Sequence, residues 1–301
     1  MKEIDVLLKL LGNGDKKALA RCISIVENNI EGSADILTQL SFEHATPIIG
    51  ITGPPGAGKS TLINSLIGQL VGQDMKIGVI CVDPTSPFNY GSLLADRLRM
   101  TEHFNDDQVF IRSLATRGSL GGLSSRCIEV TDLMRSFGFD YVIVETVGVG
   151  QSEVEIAGLA DTTVLVLVPE AGDEVQAIKS GIMEIADIFV VNKSDRDGAD
   201  QLMKHLSNLL QLQTHTDWVP PIIKTIATDS SGISELVENI KSHKGIINNN
   251  KRSFLLADKA YHLIQSQLMI PYKKQDLQIE IHKGLDKGNF NLYSFVNDFK
   301  G

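Results

Sequence analysis

Cysteine, basic charge and long apolar runs are all scarce in this chain of 301 residues. Its three cysteines lie far apart without a CxxC pair, which argues against a disulfide framework or a thiolate zinc site and favours a reducing, cytoplasmic location. The formal net charge is −9, so a non-specific nucleic-acid partner is not expected, because it would need a basic surface. The longest apolar run, Val164 to Pro169, has strand length, and neither a membrane span nor a targeting segment is expected.

A regular alternation of short apolar runs and helix-like stretches begins near residue 46 and stops near residue 245. Most of the runs are uninterrupted, which is typical of strands that helices cover on both faces. The alternation therefore predicts an α/β fold with an open, mostly parallel sheet flanked by helices. The predicted strands are Pro47–Thr52, Ile77–Asp83, Val109–Ser113, Tyr141–Thr146, Thr163–Pro169, Ile188–Asn192 and Ile222–Ala227. The predicted helices lie near 60–73, 122–137, 153–160, 174–186, 199–212 and 232–242.

Helical extensions are predicted on both sides of this α/β domain, which gives boundaries of 1–44, 45–245 and 246–301. The N-terminal extension begins with a helix whose apolar residues are predicted to share one face. These residues are Leu7, Leu8, Leu10 and Leu11. In the C-terminal extension, residues 251–270 are predicted to form one helix, and the residues that follow are polar and weakly patterned.

A phosphate-binding loop is the most specific motif in the chain. The segment Gly53-Pro54-Pro55-Gly56-Ala57-Gly58-Lys59-Ser60-Thr61 matches G-x-x-x-x-G-K-[ST] between a predicted strand and an amphipathic helix, which is the context that the motif needs. Glycines let backbone N–H groups approach a triphosphate, and the helix N-terminus adds partial positive charge. Lys59 is predicted to contact the β- and γ-phosphate oxygens, and the Ser60 hydroxyl is predicted to bind Mg²⁺. The sequence therefore predicts a P-loop NTPase.

Acidic residues that can complete a magnesium site follow at strand ends. Glu145-Thr146-Val147-Gly148 ends a predicted strand, so Glu145 can hold the Mg²⁺ hydration shell and the Gly148 N–H can meet the γ-phosphate. Asp83, at the end of the second predicted strand, is placed to join the same network. Asp96 can order over the γ-phosphate as a further metal ligand, although an exposed helix acid is an equally good interpretation of it.

The base of the nucleotide is predicted from Asn192-Lys193-Ser194-Asp195, an N-K-x-D motif after a predicted strand. The Asp195 carboxylate can accept hydrogen bonds from N1–H and the exocyclic amine of guanine, and adenine lacks this donor pair. Each such bond to a charged group is worth roughly 1.5–3 kcal/mol, so the motif predicts GTP over ATP. The stem of Lys193 can cover the base. Backbone N–H groups of Ile226, Ala227 and Thr228, after the next strand, can add contacts to the guanine O6.

The rate of hydrolysis is predicted from the residue that follows Gly148. Fast-switching GTPases of the Ras type place a water-orienting Gln there, and this chain has Val149. We therefore expect hydrolysis of GTP to GDP and phosphate that is slow alone and is stimulated by a partner.

Taken together, the chain closely resembles the MeaB/ArgK family of P-loop GTPases, the chaperones of methylmalonyl-CoA mutase, within the SIMIBI class. The resemblance runs from about Gly14 to about Lys244. The segments that carry it are Gly14-Asp15, Ala18–Arg21, Gly53–Thr61, Val82–Ser86, Ala115–Leu123, Val144–Glu153, Gly172–Lys179, Gly181–Asp187 and Asn192–Asp195.

The resemblance implies that the chain binds GTP with Mg²⁺, forms a homodimer and associates with an adenosylcobalamin-dependent acyl-CoA mutase. In that role it would gate cofactor loading or protect the mutase. The implied switch segments are about 83–100, 146–155 and 170–181. In the third, Gln176 and Lys179 could swing towards the nucleotide when the mutase docks, although a solvated helix surface explains both residues better on sequence alone. The C-terminal extension would supply the dimer contact.

Three other functions remain open at this point. One is a kinase that uses the P-loop in amino-acid (lysine, arginine or ornithine) transport, for which the chain shows no separate acceptor pocket. Another is a metal-insertion GTPase, but such relatives carry Cys or His clusters, which this sequence lacks. The third is a scaffold that binds nucleotide without hydrolysing it.

Overall fold

The chain begins with helices that pack against the main domain. The structure, a computed structural model, describes residues 3–42, 46–83, 100–115, 125–146, 152–169, 182–211, 218–244, 249–269, 271–288 and 290–299. The first three helices are α1 (Glu3–Gly12), α2 (Lys16–Glu27) and α3 (Ser33–Thr38). The Asp15 carboxylate caps α2 by accepting a 2.8 Å hydrogen bond from the Ala18 amide. On α1, Leu11 is buried but Leu10 is 40% exposed, so the prediction of one shared apolar face is wrong for Leu10.

In the part of the chain that the structure describes, seven parallel strands form the sheet, in the order β3-β2-β4-β1-β5-β6-β7. Their bounds are β1 (Ile48–Thr52), β2 (Ile77–Asp83), β3 (Val109–Ala115), β4 (Tyr141–Glu145), β5 (Thr162–Leu167), β6 (Ile188–Val191) and β7 (Ile222–Lys224). Strand β1 is central, with β4 and β5 as its neighbours; β2, β3 and β4 lie on one side of it, and β5, β6 and β7 lie on the other. Such a reversal of strand order opens a crevice at the carboxyl edge of a parallel sheet, where ligands bind.

Helices cover both faces of the sheet. Within the described residues of the main domain, the remaining helices are α4 (Lys59–Val71), α5 (Ser125–Arg135), α6 (Ser152–Leu159), α7 (Ala199–Gln211) and α8 (Ile233–Lys244). Thr101–His103 and Ile182–Glu184 form short 3₁₀ turns. On one face, α4 and α8 bury Leu62, Leu66 and Leu236 against the central strands. On the other face, α1–α3, α5 and α6 form a second apolar cluster, and α7 packs against β5 and β6. The N-terminal helices thus share the core of the sheet.

The predicted α/β fold is confirmed, with small shifts at the strand ends. All seven predicted strands are present, because uninterrupted apolar runs can be buried on both faces. Strand β7 is shorter than predicted and ends at Lys224, since Thr225 and the residues after it bend into a loop before α8. Strand β3 is longer than predicted and reaches Ala115. The predicted helix near 174–186 is described only from Ile182 on, as a 3₁₀ turn.

The chain forms two compact units, Met1–Leu255 and Leu256–Gly301, whose boundary falls within helix α9 (Asn249–Met269). The second unit also contains α10 (Lys274–Asp286) and α11 (Leu292–Asp298), so the weakly patterned end of the chain is helical. The Asn291 side chain caps α11 by accepting from the Tyr293 and Ser294 amides. Within the described ranges, no helix combines the length and the apolar character that crossing a membrane requires.

Candidate functional site

The phosphate-binding loop leaves the carboxyl end of β1 and leads into α4. Its glycines are required by space as well as by conformation. Gly53 has a φ of +140°, and a Cβ there would lie 2.1 Å from the Val166 carbonyl oxygen. Gly58 has a φ of +86°, and a Cβ there would lie 2.5 Å from Nδ2 of the Asn192 side chain. The loop can therefore pack against β5 and against the Asn192 side chain, after β6, only with glycine at both positions. Glycines of this kind let backbone N–H groups come close to a phosphate chain.

Lys59, the first residue of α4, lies across the loop. Its ammonium group donates to the carbonyl oxygens of Gly53, at 2.8 Å, and of Pro54, at 3.1 Å. The side chain is buried, with 7% of its surface exposed. Burial of a cation is costly unless an anion or several acceptors surround it, so phosphate oxygens would be stronger partners than these two carbonyls.

Ser60 and Glu145 form the polar pair next to Lys59. The Ser60 hydroxyl donates to Glu145 Oε1 at 2.8 Å, and both residues are buried at the carboxyl edge of the sheet. The backbone of β2 runs beside β4, with Cys81 opposite Glu145, and Asp83 ends that strand two residues later. A hydroxyl oxygen and carboxylate oxygens are the ligands that Mg²⁺ prefers, so this donor set fits the ion.

A pair of threonines lies where β1 and β4 end. The Thr146 hydroxyl donates to the Thr52 hydroxyl at 3.0 Å, and both side chains are buried. The Thr146 amide also continues the sheet by donating to the Ile51 carbonyl at 3.1 Å. The contact fixes the chain directly after Glu145. Sequence reasoning did not select either threonine for this contact, because nothing local marks a threonine as the partner of a second one 94 residues away.

Asn192 connects the phosphate loop with the segment after β7. Its Nδ2 donates to the Ala57 carbonyl at 2.9 Å, and its Oδ1 accepts from Thr225 Oγ1 at 3.0 Å and from the Ala227 amide at 3.2 Å. The residue is 2% exposed, so the amide group is fully used inside the protein. Asn192 therefore fixes the phosphate loop relative to the segment after β7.

Lys193 and Asp195 follow at the surface. Lys193 has a φ of 53° and donates from Nζ to the Gly56 carbonyl at 2.8 Å, which lays its stem along the phosphate loop. The Ser194 amide donates to the Thr225 carbonyl at 3.1 Å, and this bond fixes the turn. The Asp195 side chain is exposed and thus accessible to a ligand.

The segment Thr225–Thr228 lies beside this turn, since the Ser194 amide donates to the Thr225 carbonyl. Two of the three amides proposed for the guanine O6 already have acceptors in the protein. The Ala227 amide donates to Asn192, and the Ile226 amide donates to the Ser231 carbonyl at 3.1 Å. Within the part of the chain that the structure describes, the Thr228 amide has no such acceptor.

Several predicted site residues cannot be placed against this geometry. Asp96, Gly148, Gln176 and Lys179 lie outside the described residues, as does Val149. For Asp83 the backbone position is described and the side chain is not. The predicted roles of these residues stay predictions. The described members brought together at the carboxyl edge are Gly53–Thr61, Glu145, Asn192, Lys193, Asp195 and Ile226–Thr228.

The fold and this edge define a P-loop nucleotide-binding protein: a glycine-rich loop between a central parallel strand and a helix, with a lysine, a serine and a strand-end acid around it. The family model for MeaB, described as methylmalonyl Co-A mutase-associated GTPase, matches residues 19–270. The chain belongs to this family and is a GTPase.

Similar proteins, two of which carry GTPase names, support this assignment. A protein of Pyrococcus horikoshii that carries such a name is 48% identical over 274 residues, covering 89% of this chain and 85% of its own length. GTPase ArgK of Escherichia coli is 36% identical over 240 residues, covering 76% of this chain and 72% of its own length. The mouse protein named methylmalonic aciduria type A homolog, mitochondrial, is 36% identical over 258 residues, covering 79% of this chain and 62% of its own length.

The fold has a solved counterpart. The crystal structure of a LAO/AO transport system kinase superimposes with a TM-score of 0.68 at 24% identity, covering 99% of this chain and 97% of that one. At this level of identity the likeness shows the fold alone.

Proposed function

We propose that this GTPase is a magnesium-dependent chaperone of an adenosylcobalamin-dependent acyl-CoA mutase, with methylmalonyl-CoA mutase as the favoured client. The observation that carries the proposal is the match to the mutase-associated family over residues 19–270, together with a complete phosphate loop in the described site. Nucleotide state would signal whether the mutase is ready for cofactor loading or needs protection. No observation on the described residues favours kinase or metal-insertion activity.

Within the site, the charge of each side chain decides which part of the Mg²⁺–GTP complex it would bind. Lys59 would exchange its bonds to the loop carbonyls for bonds to the β- and γ-phosphate oxygens, because a charged acceptor binds an ammonium more strongly than a neutral one. Ser60 and Glu145 would hold Mg²⁺, with Asp83 and Asp96 as further ligands. The ion, when bound, would neutralise charge on the phosphates. Asp195 would select guanine, and Lys193 would cover the base.

Hydrolysis would be slow until the mutase docks. The proposal rests on Val149, which cannot orient a water, and on the roles of Gln176 and Lys179 that the family resemblance implies. Gly148 would contribute its N–H to the γ-phosphate. A cytoplasmic location is consistent with three buried cysteines, none of which forms a disulfide.

A homodimer is proposed through residues 246–301. In the second compact unit, large apolar side chains of all its helices are exposed, including Tyr261 (65%), Leu268 (66%) and Val296 (63%). Exposed apolar residues of this number mark an interaction surface. The family resemblance makes a second copy of the chain the expected occupant.

The client is tested by binding purified methylmalonyl-CoA mutase in the presence of GDP or a non-hydrolysable GTP analogue. We expect nucleotide-dependent complex formation and an increase in GTP hydrolysis of at least about tenfold when the mutase is added, a size that completion of a charged site readily supplies. The variant Lys59→Ala, which should fold but lose nucleotide binding, is the control that must show no stimulation. Unchanged hydrolysis and no complex in either nucleotide state would overturn the proposed client while leaving the GTPase assignment in place.

A further inference from the structure

Helix α4 touches the base-recognition segment directly, away from the phosphate loop. The Ser65 hydroxyl, on the second turn of α4, donates to the Ala227 carbonyl at 2.6 Å. This bond crosses 162 residues of sequence and lies where α4 packs against α8, with Leu62 and Leu236 in the same apolar cluster. Ala227 is 4% exposed, so its carbonyl has little access to water and depends on this donor.

The bond fixes more than one atom, because a peptide unit is planar and trans. The Ala227 carbonyl and the Thr228 N–H belong to the same unit and point in opposite directions. When Ser65 holds the carbonyl towards α4, the Thr228 N–H is turned away from α4. The preceding unit is held by the bond from the Ala227 amide to Asn192 at 3.2 Å. Two successive peptide units are therefore fixed, and the second leaves its N–H on the exposed residue Thr228.

We propose that Ser65 is a positioning residue for recognition of the purine O6. It does not touch the nucleotide; its hydroxyl aims the Thr228 N–H at the oxygen that guanine carries and adenine replaces with an amine. A fixed N–H group donates a hydrogen bond to the oxygen of guanine, whereas it faces another donor in the amine of adenine. The inference rests on the proposed base site at Asp195 and extends it to a residue of α4.

The test compares GDP with 6-thio-GDP, whose sulfur is a weaker acceptor at the position of O6, by titration calorimetry. For Ser65→Ala we expect the Kd of GDP to rise about tenfold, as for loss of one well-aligned hydrogen bond, and that of 6-thio-GDP to rise less than about threefold. Ser65→Thr, which keeps the hydroxyl, should restore the preference for GDP. The matched control is Ser207→Ala, a half-buried helical serine on α7, which should change neither affinity.

Two outcomes would overturn the inference. One is an unchanged affinity for GDP in Ser65→Ala, and the other is an equal loss for GDP and 6-thio-GDP, which would mean general loosening of the site. If Ser65→Ala does not fold, the isosteric pair Ser65→Thr and Ser65→Val makes the same comparison, since the two differ only by hydroxyl against methyl. Failure of the proposed base site would instead appear in the wild-type protein, as equal affinity for GDP and ADP.

Discussion

Asn192 and Asp195 stand three positions apart but serve the site in different ways. Every polar atom of the Asn192 amide group has a partner inside the protein, so this residue fixes the distance between the phosphate loop and the base segment. The Asp195 carboxylate is exposed. Because Asn192 is anchored, the fold sets the position of the nearby Asp195 carboxylate. The carboxylate oxygens can then accept hydrogen bonds from a ligand.

Replacing Asp195 with Asn should change which base the site prefers. An amide can accept from N1–H but presents a donor to the guanine amine, whereas it matches the carbonyl oxygen at that position of xanthine. We expect the Kd of GDP to rise at least about tenfold, because a bond to a charged group is lost, and the Kd of XDP to fall. Competition binding with both diphosphates measures the ratio. An unchanged ratio would show that Asp195 does not contact the base.

The residues of the site that follow a local pattern could be predicted, and those that act through distant contacts could not. Lys59, Ser60 and Asn192–Asp195 belong to short contiguous motifs, and each motif is recognised from the spacing of its own residues. Ser65 and the pair Thr52 and Thr146 have partners that only the fold brings near. No periodicity distinguishes them from other polar residues.

At the level of elements, the end of α8 is tied to the sheet by a buried polar network. His243 Nε2 lies 3.4 Å from Asp187 Oδ1, and its Nδ1 lies 2.9 Å from Thr162 Oγ1. The other carboxylate oxygen of Asp187 accepts from the Thr163 amide at 2.8 Å, and the Trp218 ring packs 5.0 Å from the imidazole. This network lies at the amino ends of β5 and β6, the edge opposite the nucleotide site. It joins the end of α8 to the strands.

Truncation of His243 to Ala should therefore destabilise the protein without weakening nucleotide binding. The change removes the imidazole from Asp187 Oδ1 and from Thr162 Oγ1 and opens a cavity beside Trp218, which we expect to cost about 3 kcal/mol. Urea unfolding measures the loss, and GDP titration should give the wild-type affinity. His282→Ala, at an exposed position of α10, is the matched control and should stay within about 0.5 kcal/mol of wild type. A small loss for His243→Ala would contradict the role of the network.

Element types were predictable where one physical demand dominates. Burial on both faces requires uninterrupted apolar strands, and each of the predicted strands is present. The end of β7 was misplaced because the apolar pattern continues through Ile226 and Ala227, although their backbone turns to meet Asn192 and Ser231. Within the predicted C-terminal helical extension, α10 and α11 were not delimited individually, because their apolar residues do not cover a core of their own and no strong periodicity marks them.

At the scale of the whole molecule, the second compact unit has too little core to account for its apolar residues. In the described part of α10 and α11 no residue is buried, although Phe290, Phe295 and Phe299 contact one another through their rings. On α9, three exposed residues are spaced as one helical stripe, since positions i, i+3 and i+7 share a face. They are Tyr261, Ile264 and Leu268. Such a stripe is stabilised when a second helix covers it.

Two charges introduced into this stripe should separate the proposed dimer. The double variant Ile264→Glu, Leu268→Glu places four carboxylates in a two-fold interface, and each replaced side chain contributes about 1.5–3 kcal/mol of burial. We expect the dimer Kd to rise at least about a thousandfold, measured by analytical ultracentrifugation over a concentration series, with GDP affinity unchanged. The control Gln265→Glu, Gln267→Glu adds the same charges at neighbouring exposed positions and should leave the dimer intact. A wild-type protein that sediments as a monomer throughout the series, or a control that dissociates equally, would show that this face is not the dimer contact.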